Sequence, residues 1–208
     1  IAMRQYEKAN EWFDHALLIN PQGLTPRLGK ISISVLSRGN LRDARAMLET
    51  LPQHPLVDYM WLTIGMLERN YEEVLNRLSS LSYDSFEEQQ FYFHKNLVSA
   101  TVYYLKKDTA LAKAHADLAR VVLEKSVEEH PEDPRYHAAL GLAYAYLERK
   151  EDAVREGQRA VELYPTSKDA AFGPPYVLNL ARIYAVVGEY GKAIDQLKFV
   201  LSIPSAEY

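Results

Sequence analysis

The 208 residues are 48% hydrophobic and 25% charged, a profile of a globular chain long enough to bury a sizeable core. Its 24 basic and 28 acidic side chains leave a formal net charge of -4, and each half carries part of that acidic excess. Neither half therefore has the basic surface that a phosphate backbone demands, and the absence of cysteine removes disulfides, thiolate metal sites and a cysteine nucleophile.

In chain order, Tyr6, Ala9, Phe13, Ala16 and Pro21 lie at helical spacing and predict a helix over 2–19 that proline terminates. Helices over 25–38 and 41–51 follow, separated by Gly39-Asn40, where glycine takes the left-handed closing conformation and asparagine caps the next helix. Helices over 56–68 and 71–81 meet at Asn70, which makes a capping-box-like pair with Glu73. The aromatic stretches Phe91-Tyr92-Phe93 and Tyr103-Tyr104 are read into the core of one helix over 86–106. Asp108 caps the next helix, 109–130, which is longer than its neighbours and apolar over a wide arc, so a further surface is expected on its overhang. Helices over 135–148, 151–164, 174–187 and 190–202 complete the chain, with the long connection TSKDAAFG between Pro165 and Pro174 and a turn at Gly188-Glu189.

Most of these helices form pairs on a repeating interval. In PRYHAALGLAYAYLERKEDAVREGQRAVELYP, Leu140-Gly141, Tyr144, Ala153, Ala160 and Pro165 follow the tetratricopeptide pattern. The second half of a repeat recurs at Tyr6 to Pro21, and a nearly whole one at Leu180, Tyr184, Gly188, Tyr190, Ala193, Leu197 and Pro204. Ala44 with Leu48 and Val74 with Leu78 mark degenerate copies. Aligning Ala9, Ala44, Val74, Ala112, Ala153 and Ala193 gives steps of 35, 30, 38, 41 and 40 residues, against about 34 for this repeat. Small residues at 141, 153 and 160 let two helices of a hairpin approach closely. One hairpin cannot bury its apolar face alone, so neighbours must stack. Gly157 stands where a large residue is usual, which predicts a looser contact with the next helix.

The expected fold is all-α: a right-handed superhelical solenoid of about five and a half tetratricopeptide-like hairpins in a single domain. Its units are a half repeat over 1–21 and repeats over 22–54, 55–81, 82–133, 134–173 and 174–208. Residues 130–205, carried by DPRYHAALGLAYAYLERKEDA, SKDAAFGPPYVLNLARIYAVVGEY and LSIPS, also resemble the tetratricopeptide region of bacterial multidomain regulators. There it follows a TolB-like, kinase, cyclase or winged-helix part. The resemblance implies a docking or sensory module of a larger bacterial protein, and the start at Ile1 reads as a cut from a longer chain.

No catalytic constellation, cofactor motif or metal-ligand spacing appears, so the expectation is a non-enzyme. His137 replaces an aromatic residue and is read as packing, and His130 as a helix-end residue. The acidic pairs lie at helix ends, where adjacent carboxylates do not face each other. In the tetratricopeptide family, ligands lie against the first helices of successive hairpins. The matching positions here are Tyr59, Thr63 and Met66, then Val98, Val102 and Leu105, then Ala138, Leu142 and Tyr146, then Leu178, Asn179 and Arg182. That lining suits a peptide or helix with apolar anchors. Lys95, Asn96, Asn179 and Arg182 do not reproduce the family's clamp for acidic C-terminal tails. A small-molecule effector domain closed by the long helix and the 166–173 connection, and a self-association module, are the alternatives. No apolar run reaches the ~18 residues of a membrane span and no leader pattern is visible, so a cytoplasmic location is expected.

Overall fold

The computed structural model describes residues 5–88 and 91–203; the helix terminator expected at Pro204, the first residues of the expected helix 2–19, and Gln89 and Gln90 lie outside them. The chain is an all-α arrangement of antiparallel helical hairpins, divided into two compact units at residue 80.

The first unit holds α1 (Tyr6–Ile19), α2 (Leu24–Arg38), α3 (Leu41–Leu48), α4 (Pro55–Leu67) and α5 (Tyr71–Ser80). Its core is Ile31, Ala44, Leu48, Val57, Trp61 and Ile64, joined by half-buried leucines and methionines. Two glycines set the helix spacing: a Cβ on Gly29 would fall 2.3 Å from the Phe13 ring, and one on Gly65 would fall 2.7 Å from Val74. Arg45 of α3 ties the unit together. Its guanidinium bonds Glu68 at 2.5 Å and Glu73 at 2.6 Å, while lying over the Trp61 ring, which Arg77 also approaches at 4.2 Å.

The second unit opens with a two-stranded antiparallel hairpin, β1 (Ser85–Glu87) and β2 (Tyr92–His94), followed by α6 (Lys95–Leu105) and α7 (Thr109–Glu129). The expected helix over 86–106 is therefore shorter, starting only at Lys95. The reason lies in the aromatics, which alternate across strands instead of lining a helix. Phe86 pairs with Phe93, their rings stacked 4.8 Å apart, while Tyr92 packs edge-on against Tyr136 at 5.0 Å. Arg135 clamps the hairpin by donating to the Glu88 carbonyl at 2.8 Å and pairing with the Glu87 carboxylate at 3.1 Å.

The remaining hairpins are α8 (Pro134–Tyr146) with α9 (Lys150–Leu163), and α10 (Pro174–Val186) with α11 (Tyr190–Ser202). Every residue of α8 from Tyr136 to Tyr146 is buried, as expected of a helix that is apolar all round and enclosed by neighbours. Gly157 does not loosen the packing. The space its missing side chain leaves is filled by Ile183 and Leu180 of α10, whose methyl carbons would sit 2.7 Å and 3.0 Å from an added Cβ. The last two turns of α7 are covered on one face, with Leu123 fully buried and Val127 packed against the core around α8, while Leu118, Val121 and Val122 stay exposed. In the 166–173 connection, Asp169 accepts from the Ala171 and Phe172 amides, and Gly173 sits too close to Thr166 for any side chain.

Among the described residues, five hairpin turns close with a left-handed residue: Gly39, Arg69, Lys107, Glu148 and Gly188. The expected caps form as well, with Asn40 accepting from Asp43, Asn70 from Glu73 and Asp108 from Leu111.

Candidate functional site

In the second unit, the first helices of three hairpins bring several expected positions together. On α6, Val98, Thr101 and Leu105 recur at helical spacing along one face, with Tyr104 beside them. The Tyr104 ring lies 5.2 Å from that of Tyr146 on α8, and the Tyr146 hydroxyl donates to Thr101 Oγ1 at 3.0 Å. Burial pushes the Tyr146 hydroxyl up to about 12, although the nearby Arg182 charge of α10 pulls the other way. Arg182 is therefore close enough to act on Tyr146 while its own side chain is exposed.

The positions divide by what they offer a partner. Val102 has no exposed surface, and Leu142 and Tyr146 are 8% and 6% exposed, because α8 is packed on both flanks; these three support the face from beneath, as does Ala138. Contact area comes from half-buried Val98 and Leu178, from Tyr104 and Leu105 at 40% and 45% exposure, and from Arg182. Asn179, one turn before Arg182, has a buried side-chain oxygen with no hydrogen-bond partner. A buried acceptor left unpaired costs free energy, and this one is enclosed, so it is not part of the accessible surface.

In the first unit, Tyr59, Thr63 and Met66 share one face of α4 and are half-buried. The Thr63 hydroxyl is turned back onto the Tyr59 carbonyl at 2.9 Å, so it belongs to its own helix.

Ionisable clusters elsewhere are explained by internal partners. His137 is not simple packing. Its Nδ1 faces Glu156 at 2.6 Å and its Nε2 faces the Pro131 carbonyl at 2.9 Å, so both ring nitrogens meet acceptors and the imidazolium is the form that fits. Burial alone would depress the His137 pKa, but the bonds to Glu156 and Pro131 outweigh it and the net shift is upward. Burial likewise works against the Glu156 carboxylate, yet its bond to His137 brings its pKa below the ordinary value. The partners are 19 residues apart on different helices, so no spacing rule exposes the pair. Asp133, the cap of α8, is bound by Arg135, and Tyr136 donates to Glu87 at 2.5 Å. Among the described residues no group of three or more metal-ligating side chains occurs, and no helix is long and apolar enough to cross a membrane.

No family model matches the chain, and no curated protein does. Among solved structures, it is similar to the Cut9–Hcn1 hetero-tetramer of the APC/C, with a TM-score of 0.56 and 17% identity over 95% of this chain. This chain spans 36% of the length of that one. It is also similar to TTC0263, a thermophilic tetratricopeptide protein of Thermus thermophilus, with a TM-score of 0.54 and 18% identity over 84% of this chain and 88% of the other. The fold is therefore tetratricopeptide-like.

Proposed function

We propose that this chain is a non-catalytic scaffold that holds a polypeptide segment against the α6–α8–α10 face of its second unit. The carrying observation is that exposed Tyr104 and Leu105 and exposed Arg182 lie on either side of Tyr146, which the Tyr104 ring touches and the Arg182 charge reaches. An aromatic and aliphatic surface accepts apolar anchors, and Arg182 pairs with an acidic side chain. The fitting occupant is an extended or helical peptide that alternates apolar residues with at least one carboxylate. The likeness of residues 130–205 to bacterial regulator regions supports a docking or sensory role within a larger cytoplasmic protein.

Selection from a random peptide library tests this. Bound sequences should be enriched in apolar residues with an acidic position, and Leu105→Ala and Arg182→Ala should each weaken them about tenfold with helicity unchanged. Affinities that both variants leave untouched would remove this face from the proposal.

A second reading, self-association, is favoured by α11, where Tyr190, Ile194, Leu197 and Leu201 recur at one-turn spacing and are 40–67% exposed. Sedimentation should then show mass rising with concentration, and Ile194→Asp should abolish the rise; a constant monomer mass dismisses it.

A further inference from the structure

A second recess lies in the second unit, away from the α6–α8–α10 face, where the α7–α8 connection meets the α9–α10 connection. It is an open cleft of about 660 Å³, within the range of small-molecule sites. Its walls are mixed: Pro131, Pro134, Leu163 and the rings of Tyr164 and Tyr176, 5.8 Å apart, form the apolar part, and His130, Glu132, Asp133, Arg135 and Lys168 the polar part.

The charges around the cleft do not cancel evenly. Asp133 is held by Arg135 at 2.6 Å and Glu132 by Arg159 at 2.9 Å, so each carboxylate already has its own guanidinium. Lys168 has no carboxylate partner among the described residues; its ammonium lies over the Tyr164 ring, 4.7 Å from the centroid. The nearby Asp169 carboxylate accepts from the Tyr164 hydroxyl at 3.3 Å and from the Ala171 and Phe172 amides, so the Lys168 ammonium is left without an ion pair at the mouth.

Tyr176 supplies the second observation. It is 4% exposed, it lines the cleft, and its hydroxyl makes no hydrogen bond among the described residues. Its oxygen is not fully enclosed, so the hydroxyl is free to meet a ligand in the cleft. Burial pushes it up to about 12, so it stays protonated and keeps a proton to donate.

We propose that this cleft binds a small aromatic carboxylate, with the ring against Tyr164 and the prolines and the carboxylate received by Lys168 and the Tyr176 hydroxyl. The ligand's negative charge satisfies the unmatched ammonium, and its oxygen accepts the unused phenolic proton. A cationic ligand of the same shape meets Lys168 and two arginines already engaged by their carboxylates, and is rejected.

Titration calorimetry on the whole chain tests this with two probes that share a ring and differ in charge. Indole-3-acetate should bind with a Kd of about 1 mM or tighter, and tryptamine at least about tenfold more weakly. Lys168→Ala, an exposed loop change, should weaken indole-3-acetate about fivefold. Tyr176→Phe should weaken it by a similar factor while leaving the melting temperature equal or higher, since the hydroxyl it removes has no partner to lose. Arg182→Ala should have no effect. The proposal is overturned if neither probe binds up to about 10 mM, if tryptamine binds as well, or if both cleft variants keep the parent affinity. Should Tyr176→Phe fail to fold, the Lys168→Ala result decides alone.

Discussion

The two units use the same hairpin but reach their stability differently. In the second unit, α8 is surrounded, all its residues from Tyr136 to Tyr146 are buried, and the one polar group among them that is ionised, His137, is paired inside the core. In the first, α1 buries no residue fully, and a partly exposed arginine resting on Trp61 links α3, α4 and α5 beside their apolar core. The same repeat therefore tolerates two kinds of glue. A buried ion pair is sensitive to loss of either member, whereas a solvent-screened one contributes modestly.

The sharpest way to break this comparison is His137→Ala, which leaves the half-buried Glu156 carboxylate only its contact with exposed Arg155 at 3.3 Å and should cost about 3 kcal/mol by denaturant unfolding followed by circular dichroism. Tryptophan emission, which reports only the first unit through Trp12 and Trp61, gives a separate reading of that unit. A loss below about 0.5 kcal/mol would mean the pair is not held as described. The pair also predicts a pH dependence. The raised His137 pKa means its contribution is full below the ordinary histidine value of about 6.5 and is lost as pH rises through the folded value. The lowered Glu156 pKa means its contribution is present above about 4.3 and is lost as pH falls through the folded value. His94 and His115, both depressed by burial, contribute stability of the opposite slope, lost as pH falls. The His137 part is therefore read as the difference between parent and variant, which should shrink from about pH 6 towards about pH 9. Arg155 and Arg159 are the other charges acting on the pair.

Next in size is Gly141→Ala. Its new Cβ would meet the Ile183 methyl at 2.8 Å and backbone atoms of Ala153 and Gly157 at 3.0 Å, so a rigid contact must shift, at about 2 kcal/mol. Gly29→Ala in the first unit faces only the Phe13 ring on the outermost helix and should cost less. Equal losses would contradict the difference drawn between the units. Arg45→Ala should lower stability by about 1 kcal/mol, since its ion pairs are partly solvated, and should red-shift Trp61 emission as the ring loses its cover. The smallest effect concerns the turns. Gly188→Ala, at φ +81° with open space around it, should cost about 1 kcal/mol from backbone strain alone, and Lys107→Gly, at φ 62°, should be neutral or stabilising.

Much of the repeat is legible because its signals are local. A proline that cannot continue a helix, an asparagine that caps the next and a small residue at a crossing all act within a turn or two, so their spacing predicts hairpins. Residues 85–94 escape such a reading because Phe91-Tyr92-Phe93 satisfies a helical core as well as a strand. What selects the strand is the partner Phe86 and the clamp from Arg135 on α8, the latter remote in sequence. Among the positions expected to line a partner face, exposure depends on how deeply α8 is enclosed, which leaves Tyr146 and Val102 inside and Tyr104 outside.

The amino-acid sequence by itself determined that this chain makes paired helices of tetratricopeptide type, because helix period, caps and small crossing residues are short-range properties of the backbone and its neighbours. Only the tertiary structure decided which polar groups meet. The His137–Glu156 pair, the arginine over Trp61 and the cleft shared by Tyr176 and Lys168 all join residues from different elements, and their energies depend on burial and distance that no single stretch of chain contains.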